Sequence, residues 1–194
     1  MTPLDLSHPV WEQVHMVAPL ILVGTREPDG RFDLAPKHLA MPFSWQDHYG
    51  FVCTSSHATY ANARREGCFT VSFPRPDQIV ITSLAAAPRH EDDQKHALAA
   101  VPTISASKVD GVLVEDAYLH LECELDRIID GFADNSLIVG RVVAAAAAPD
   151  CVRDADIDAQ EMIAHSPLLA YLHPGRFATI TETRAFPYHV GFRR

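Results

Sequence analysis

The chain has 194 residues, 47% of them hydrophobic, with a formal charge of −9 from 16 basic and 25 acidic residues. That length supports one well-buried core and is short for two, so 1–194 reads as a single domain, and the acidic balance argues against nucleic acid or an anionic membrane as partner. No apolar run reaches membrane-spanning length, MTPLDLSHPVWEQVHM lacks a signal core, and the cysteines (Cys53, Cys68, Cys123, Cys151) form no CxxC pair, so a cytoplasmic protein with reduced thiols is expected.

Ser7 before Pro9 is a cap and first-turn pair, which predicts a short helix over 8–16 with Val10, Val14 and Val17 on one side. Residues 18–26 (APLILVGTR) read as a buried strand, Pro28-Asp29-Gly30 as a turn, and 31–38 as the returning hairpin strand, with Pro36 marking an edge. YGFVCTS (49–55) is a third strand leading into a helix, and CFTVSF (68–73) a fourth leaving it, stopped by Pro74 and Pro76. Residues 77–87 read as helical and 88–96 (PRHEDDQKH) as a charged, solvated loop. In AYLHLECELDRI, Leu119, Leu121, Cys123 and Leu125 alternate with His120, Glu122, Glu124 and Asp126, so one face is expected buried and the other wet. SLIVGRVVAAAA (136–147) and FATITET (177–183) are further strands, and 154–165 a helix. Six or seven strands in hairpin-like succession predict a mainly β, mostly antiparallel barrel over 18–183 with helical insertions.

SSHATYANARREG (55–67) raises a specific question. Ser56 suits an N-cap, Gly67 suits the C′ position, and Arg64 and Arg65 suit the last turn, yet the first turn has no acid to meet the helix dipole. With hydroxyls from Ser55, Ser56 and Thr59 nearby, such an end suits a phosphate monoester; an ordinary serine-capped helix explains the same residues. No GxGxxG or GxxxxGK[ST] occurs, nor GxSxG or HExxH, and the eleven histidines show no zinc spacing, so no metal is expected.

Five blocks together resemble the flavin reductase-like family of FMN-binding split barrels: LILVGTREPDGRFDLAP (20–36), Thr59-x-x-Asn62-x-Arg64-x-x-Gly67-x-Phe69, LECELDRIIDG (121–131), LIVGRVV (137–143) and LLAYLHPGRFATI (168–180). The resemblance implies a six-stranded antiparallel split β-barrel, a homodimer with FMN near the interface, NADH or NADPH as co-substrate, and in some cases an oxygenase partner. It puts Ala35, Pro36, Lys37 and His38 beside the flavin ring. It puts Cys53, Thr54, Ser55, Ser56, Thr59, Asn62 and Arg64 on the phosphate side. His173, Gly175 and Arg176 fall in a block that approaches the flavin or the nicotinamide, which makes Lys37, His38 and His173 the candidates for acting on the reaction. Lys37-His38 and Asn135 depart from the family's usual serine or threonine and histidine. An FMN-dependent oxidoreductase is the leading expectation; a flavin carrier without NAD(P)H turnover, or a split barrel with another ligand, are the alternatives.

Overall fold

The computed structural model describes residues 1–191. In chain order the strands are β1 (Met16–Pro19), β2 (Ile21–Arg26), β3 (Phe32–Lys37), β4 (Ala40–Pro42), β5 (His48–Thr54), β6 (Cys68–Phe73), β7 (Thr103–Ser105), β8 (Val112–Val114), β9 (Leu119–Phe132), β10 (Asn135–Ala147), β11 (Leu168–His173) and β12 (Arg176–Ile180). The helices are α1 (Ala58–Glu66), α2 (Ile79–Leu84) and α3 (Ala159–His165). Every strand pair is antiparallel, and the largest sheet has the order β3-β2-β6-β9-β10-β5-β4. It curls until Lys37 at the end of β3 lies beside Cys53 on β5, yet these two strands share no ladder, so the barrel is split there. A second sheet, β1-β11-β12, flanks it, and β7-β8 forms a small hairpin.

The long apolar run of β2 is explained by burial on both faces. Ile21 and Val23 join Phe51, Phe69, Val71, Cys123 and Ile138 inside the curl, where α1 adds Tyr60 and Ala63. Leu22 faces the other way, onto Leu34, Ala85, Val101 and Val114, a second core closed by α2. A strand wet on one side would have needed alternation. Pro36 lies in β3, an edge strand of its sheet, where its missing N–H leaves no gap in a ladder.

The structure departs from the sequence-based expectations at several points. Residues 8–16 are not a helix: a single 3-10 turn, Val10–Glu12, buries no residue, and Gln13 donates back to the carbonyls of Asp5 and His8. Without an apolar face to bury, so short a segment does not propagate a helix. The strand expected over 18–26 is two strands in different sheets, parted at Leu20, because β1 pairs with β11 while β2 pairs with β3 and β6. The largest sheet has seven strands rather than six, and β4, β7 and β8 were too short to announce themselves.

The wet face expected of β9 is covered near its start. Glu122 is 5% exposed and accepts from the Ser107 N–H and hydroxyl at 2.9 and 2.8 Å and from the amides of Lys108 and Val109 at 2.6 and 3.1 Å. His120 meets the Val114 carbonyl at 2.8 Å. The segment before β8 thus covers Glu122, and β8 itself covers His120. The helices expected at 77–87 and 154–165 are shorter, each starting later, and the last strand ends at Ile180. Among the described residues no helix is long and apolar enough to cross a membrane.

Candidate functional site

Helix α1 begins one residue later than its serines suggest. His57 occupies the N-cap with no side-chain cap hydrogen bond, and the first turn carries no acid. Gly67 closes the helix at φ 66°, a left-handed conformation that glycine adopts without strain, and its N–H donates to the Ala63 carbonyl. The result is a helix finished at its C-terminus and open at its N-terminus.

That open end faces a cleft of about 400 Å³. Ala35, Pro36 and Lys37 of β3 form one wall, Ser56, His57, Ala58 and Thr59 the second, and residues 85–89 with Lys95 the third. Two imidazoles report the local field. Burial, followed by Lys37 and Lys95, lowers the pKa of His57; burial, then His173 and Lys37, lowers that of His38. Both rings are therefore favoured in the neutral form, and the cations that disfavour a further positive charge favour an incoming anion.

A second cavity of about 420 Å³ adjoins the first across Pro36 and Ala86, which line both. His38, Tyr171, Gly175 and Arg176 bring polar groups to it, while Leu20, Ile79 and Phe177 are apolar. His38 packs against Tyr171 at 4.7 Å and stacks on His173 at 5.3 Å between ring centroids. The Gly175 N–H donates to the Tyr171 hydroxyl at 2.9 Å, fixing the turn that carries Arg176. The Nδ1 atom of His173 is buried without a hydrogen-bond partner.

The structure thus brings Ala35, Pro36, Lys37, Ser56 and Thr59 around one cleft, and His38, Gly175 and Arg176 around its neighbour, with His173 behind His38. The other named residues lie elsewhere. Cys53 is a core residue whose thiol is pushed up by burial and only partly drawn back by Lys37. Thr54 donates to the Asn135 side chain at 3.2 Å, and the Ser55 amide to the Asp134 carbonyl at 3.0 Å, so both secure the β5–β10 end. Asn62 is buried, donating to Thr25 at 3.2 Å and accepting from Arg65 at 3.0 Å. Arg64 donates to the Tyr60 hydroxyl, which donates in turn to Asp130.

Reading the sequence missed His57, Arg89 and Lys95. The usable signal was that the acidic loop starts and finishes with basic residues, which a loop serving only solvent does not need.

Fold and cleft together define a split β-barrel with an anion-favouring groove beside an apolar cavity. The flavin reductase-like domain model matches residues 14–180, and the chain belongs to that family. Among solved structures, nitrilotriacetate monooxygenase component B from Bacillus cereus is 18% identical, with 96% of this chain and 98% of that one covered at a TM-score of 0.80. Flavoredoxin of Desulfovibrio vulgaris is 19% identical, with 98% and 100% covered at 0.77. A Shewanella frigidimarina protein with a split barrel domain is 15% identical, with 89% and 87% covered at 0.76. At such identities the likeness is one of fold. None of the curated proteins matches the chain.

Proposed function

We propose that this protein is an FMN-dependent oxidoreductase that takes electrons from NADH or NADPH and passes them to free flavin, oxygen or a partner oxygenase. The observation that carries the reading is the uncapped, acid-free start of α1 opening onto a cleft lined by Lys37. An anion at that end meets free first-turn amides and the positive end of the helix dipole. The two adjoining cavities, about 400 and 420 Å³, each lie within the ~300–1,000 Å³ typical of ligand sites.

In this reading the amides of Ala58 and Thr59, with the Ser56 and Thr59 hydroxyls, hold the phosphate. Ala35 and Pro36 give the ring a backbone wall, and Lys37 sets the charge beside it. His38 and Arg176 orient the nicotinamide nucleotide in the adjoining cavity. Bound flavin supplies hydride-transfer chemistry, which requires neither a nucleophile nor an acid–base triad from the protein. The protein's own contribution is geometry, local charge and exclusion of water.

A homodimer with the site near its interface completes the proposal. Its support is a run of exposed apolar side chains in and beside the edge strand β4, Met41 within it and Leu39 and Phe43 flanking it, followed by Trp45, which is 95% exposed. The relationship of fold to a monooxygenase component motivates the oxygenase partner.

The test is titration of flavin-free protein with FMN and with riboflavin, followed by quenching of flavin fluorescence. Binding of FMN at least roughly tenfold tighter than riboflavin, about 1.4 kcal/mol, is expected for a phosphate held at α1. Equal affinities would overturn it. Rapid-mixing reduction of the loaded protein by NADH and NADPH then separates a reductase from a flavin carrier, which would stay oxidised.

A further inference from the structure

The cleft at α1 has a second neighbour. A third cavity of about 330 Å³ lies beyond Arg89 and Lys95, which line both spaces. The three cavities therefore form a row: the cavity beside His38 and Arg176, the cleft at α1, and a compartment bounded by Arg31, Phe32, His96 and Ala99 among others. Between the last two stands an ion-paired wall.

That wall is built rather than incidental. The Lys95 ammonium donates to the Leu34 carbonyl at 2.9 Å and the Ala85 carbonyl at 3.1 Å, and forms an ion pair with Asp33 Oδ1 at 2.9 Å, an oxygen that accepts no hydrogen bond. Arg89 pairs with Glu27, lies 3.4 Å from Asp33 Oδ2, and donates to the Asp93 carbonyl at 2.8 Å. The Asp33 side chain is only 4% exposed. Swinging Arg89 aside would take the cation from Glu27, whose side chain is 12% exposed, and would leave Asp33 with Lys95 alone, so the wall resists opening.

We propose that this wall makes the site selective for a flavin mononucleotide over a flavin dinucleotide; the inference rests on the flavin reading above. A phosphate monoester ends at the α1 amides and asks nothing of the third cavity. A dinucleotide continues from the same phosphate into a second phosphate and an adenosine, and its path along the row is closed by Arg89. The electrostatics oppose it too. Glu27, Asp33 and Asp93 line the third cavity with Arg89 and Lys95 already paired to them, so a second phosphate there would meet carboxylates whose cations are engaged.

Fluorescence titration of the flavin-free protein with FMN and FAD tests this without any turnover. The wild-type protein is expected to bind FMN at least roughly tenfold more tightly. In Arg89→Ala the FAD affinity should rise in absolute terms, a gain that loss of a cation alone cannot produce, and adding Ala99→Trp to fill the third cavity should abolish that gain. Glu27→Gln, a milder loosening of Arg89, should give a smaller gain and keeps the test in place if Arg89→Ala fails to fold. Equal wild-type affinity for FMN and FAD would overturn the wall's role while leaving the flavin reading standing. Loss of both affinities in parallel in the Arg89 and Glu27 variants would do the same. Failure to bind either flavin would overturn both.

Discussion

Glu122 and Lys37 show how differently a charge can be used in one small protein. Glu122 reads as a solvated position in an alternating strand, yet it is buried and receives three backbone amides and a hydroxyl. Burial alone would push its pKa up, but the bonds from Ser107, Lys108 and Val109 outweigh that and hold it below the ordinary 4.5. A depressed carboxylate stabilises the fold above its unfolded pKa, and that contribution disappears as the pH falls through the lower native value. Glu122→Ala should therefore cost about 2–4 kcal/mol in urea denaturation at pH 7, from amides left unpaired, and less near pH 3, where the wild type has lost the same advantage. Lys37 is held differently, beside the Cys53 thiol and in the wall of the α1 cleft. In FMN-loaded protein Lys37→Met should lower the flavin midpoint potential by roughly 30 mV, about 1.4 kcal/mol for two electrons, measured by spectroelectrochemistry. An unchanged potential would remove Lys37 from the ring side.

At the scale of elements, two glycines explain where backbone freedom matters. Gly67 lets α1 stop and β6 start without an intervening loop. Gly140 in β10 is a matter of space: a Cβ there would lie 2.7 Å from the Phe69 ring and 2.9 Å from the Cys123 Cβ. Gly140→Ala should destabilise by about 1–3 kcal/mol through overpacking, read as a lowered urea midpoint with unchanged slope. The sequence reading marked Gly140 only as an interruption in a ladder; its meaning comes from a ring on β6, two strands away in the sheet. The division of 16–26 at Leu20 was hidden for a related reason. Local apolar content is the same on both sides, and only the partners, β11 against β3 and β6, differ.

Across the whole molecule, the exposed apolar run at β4 and the neighbouring Trp45 carry the proposed self-association. Sedimentation should give a dimer mass, and Met41→Asp combined with Trp45→Asp should shift it to a monomer at micromolar concentration. If loaded flavin sits near that interface, the same variant should weaken FMN binding; a dimer mass that survives both substitutions would move the interface elsewhere.

The sequence by itself determined what depends on local chemistry. Strand periodicity and turn residues gave most of the sheet, the buried run of β2 was apparent as unbroken apolarity, and the acid-free first turn of α1 was legible directly, the anion there being a proposal. Five weak blocks in order carried the family, because each is a local pattern that the barrel needs. The tertiary structure decided everything that depends on chain reversal. It set Arg89 and Lys95 of a seemingly solvated loop against Asp33, more than fifty residues earlier, and placed His38 against Tyr171 and His173. It also turned Asn62 and Arg64 to neighbours away from the cleft, although their spacing matches the family's motif. Spacing along a helix fixes which residues share a face, but the elements packed around that helix decide what each face meets.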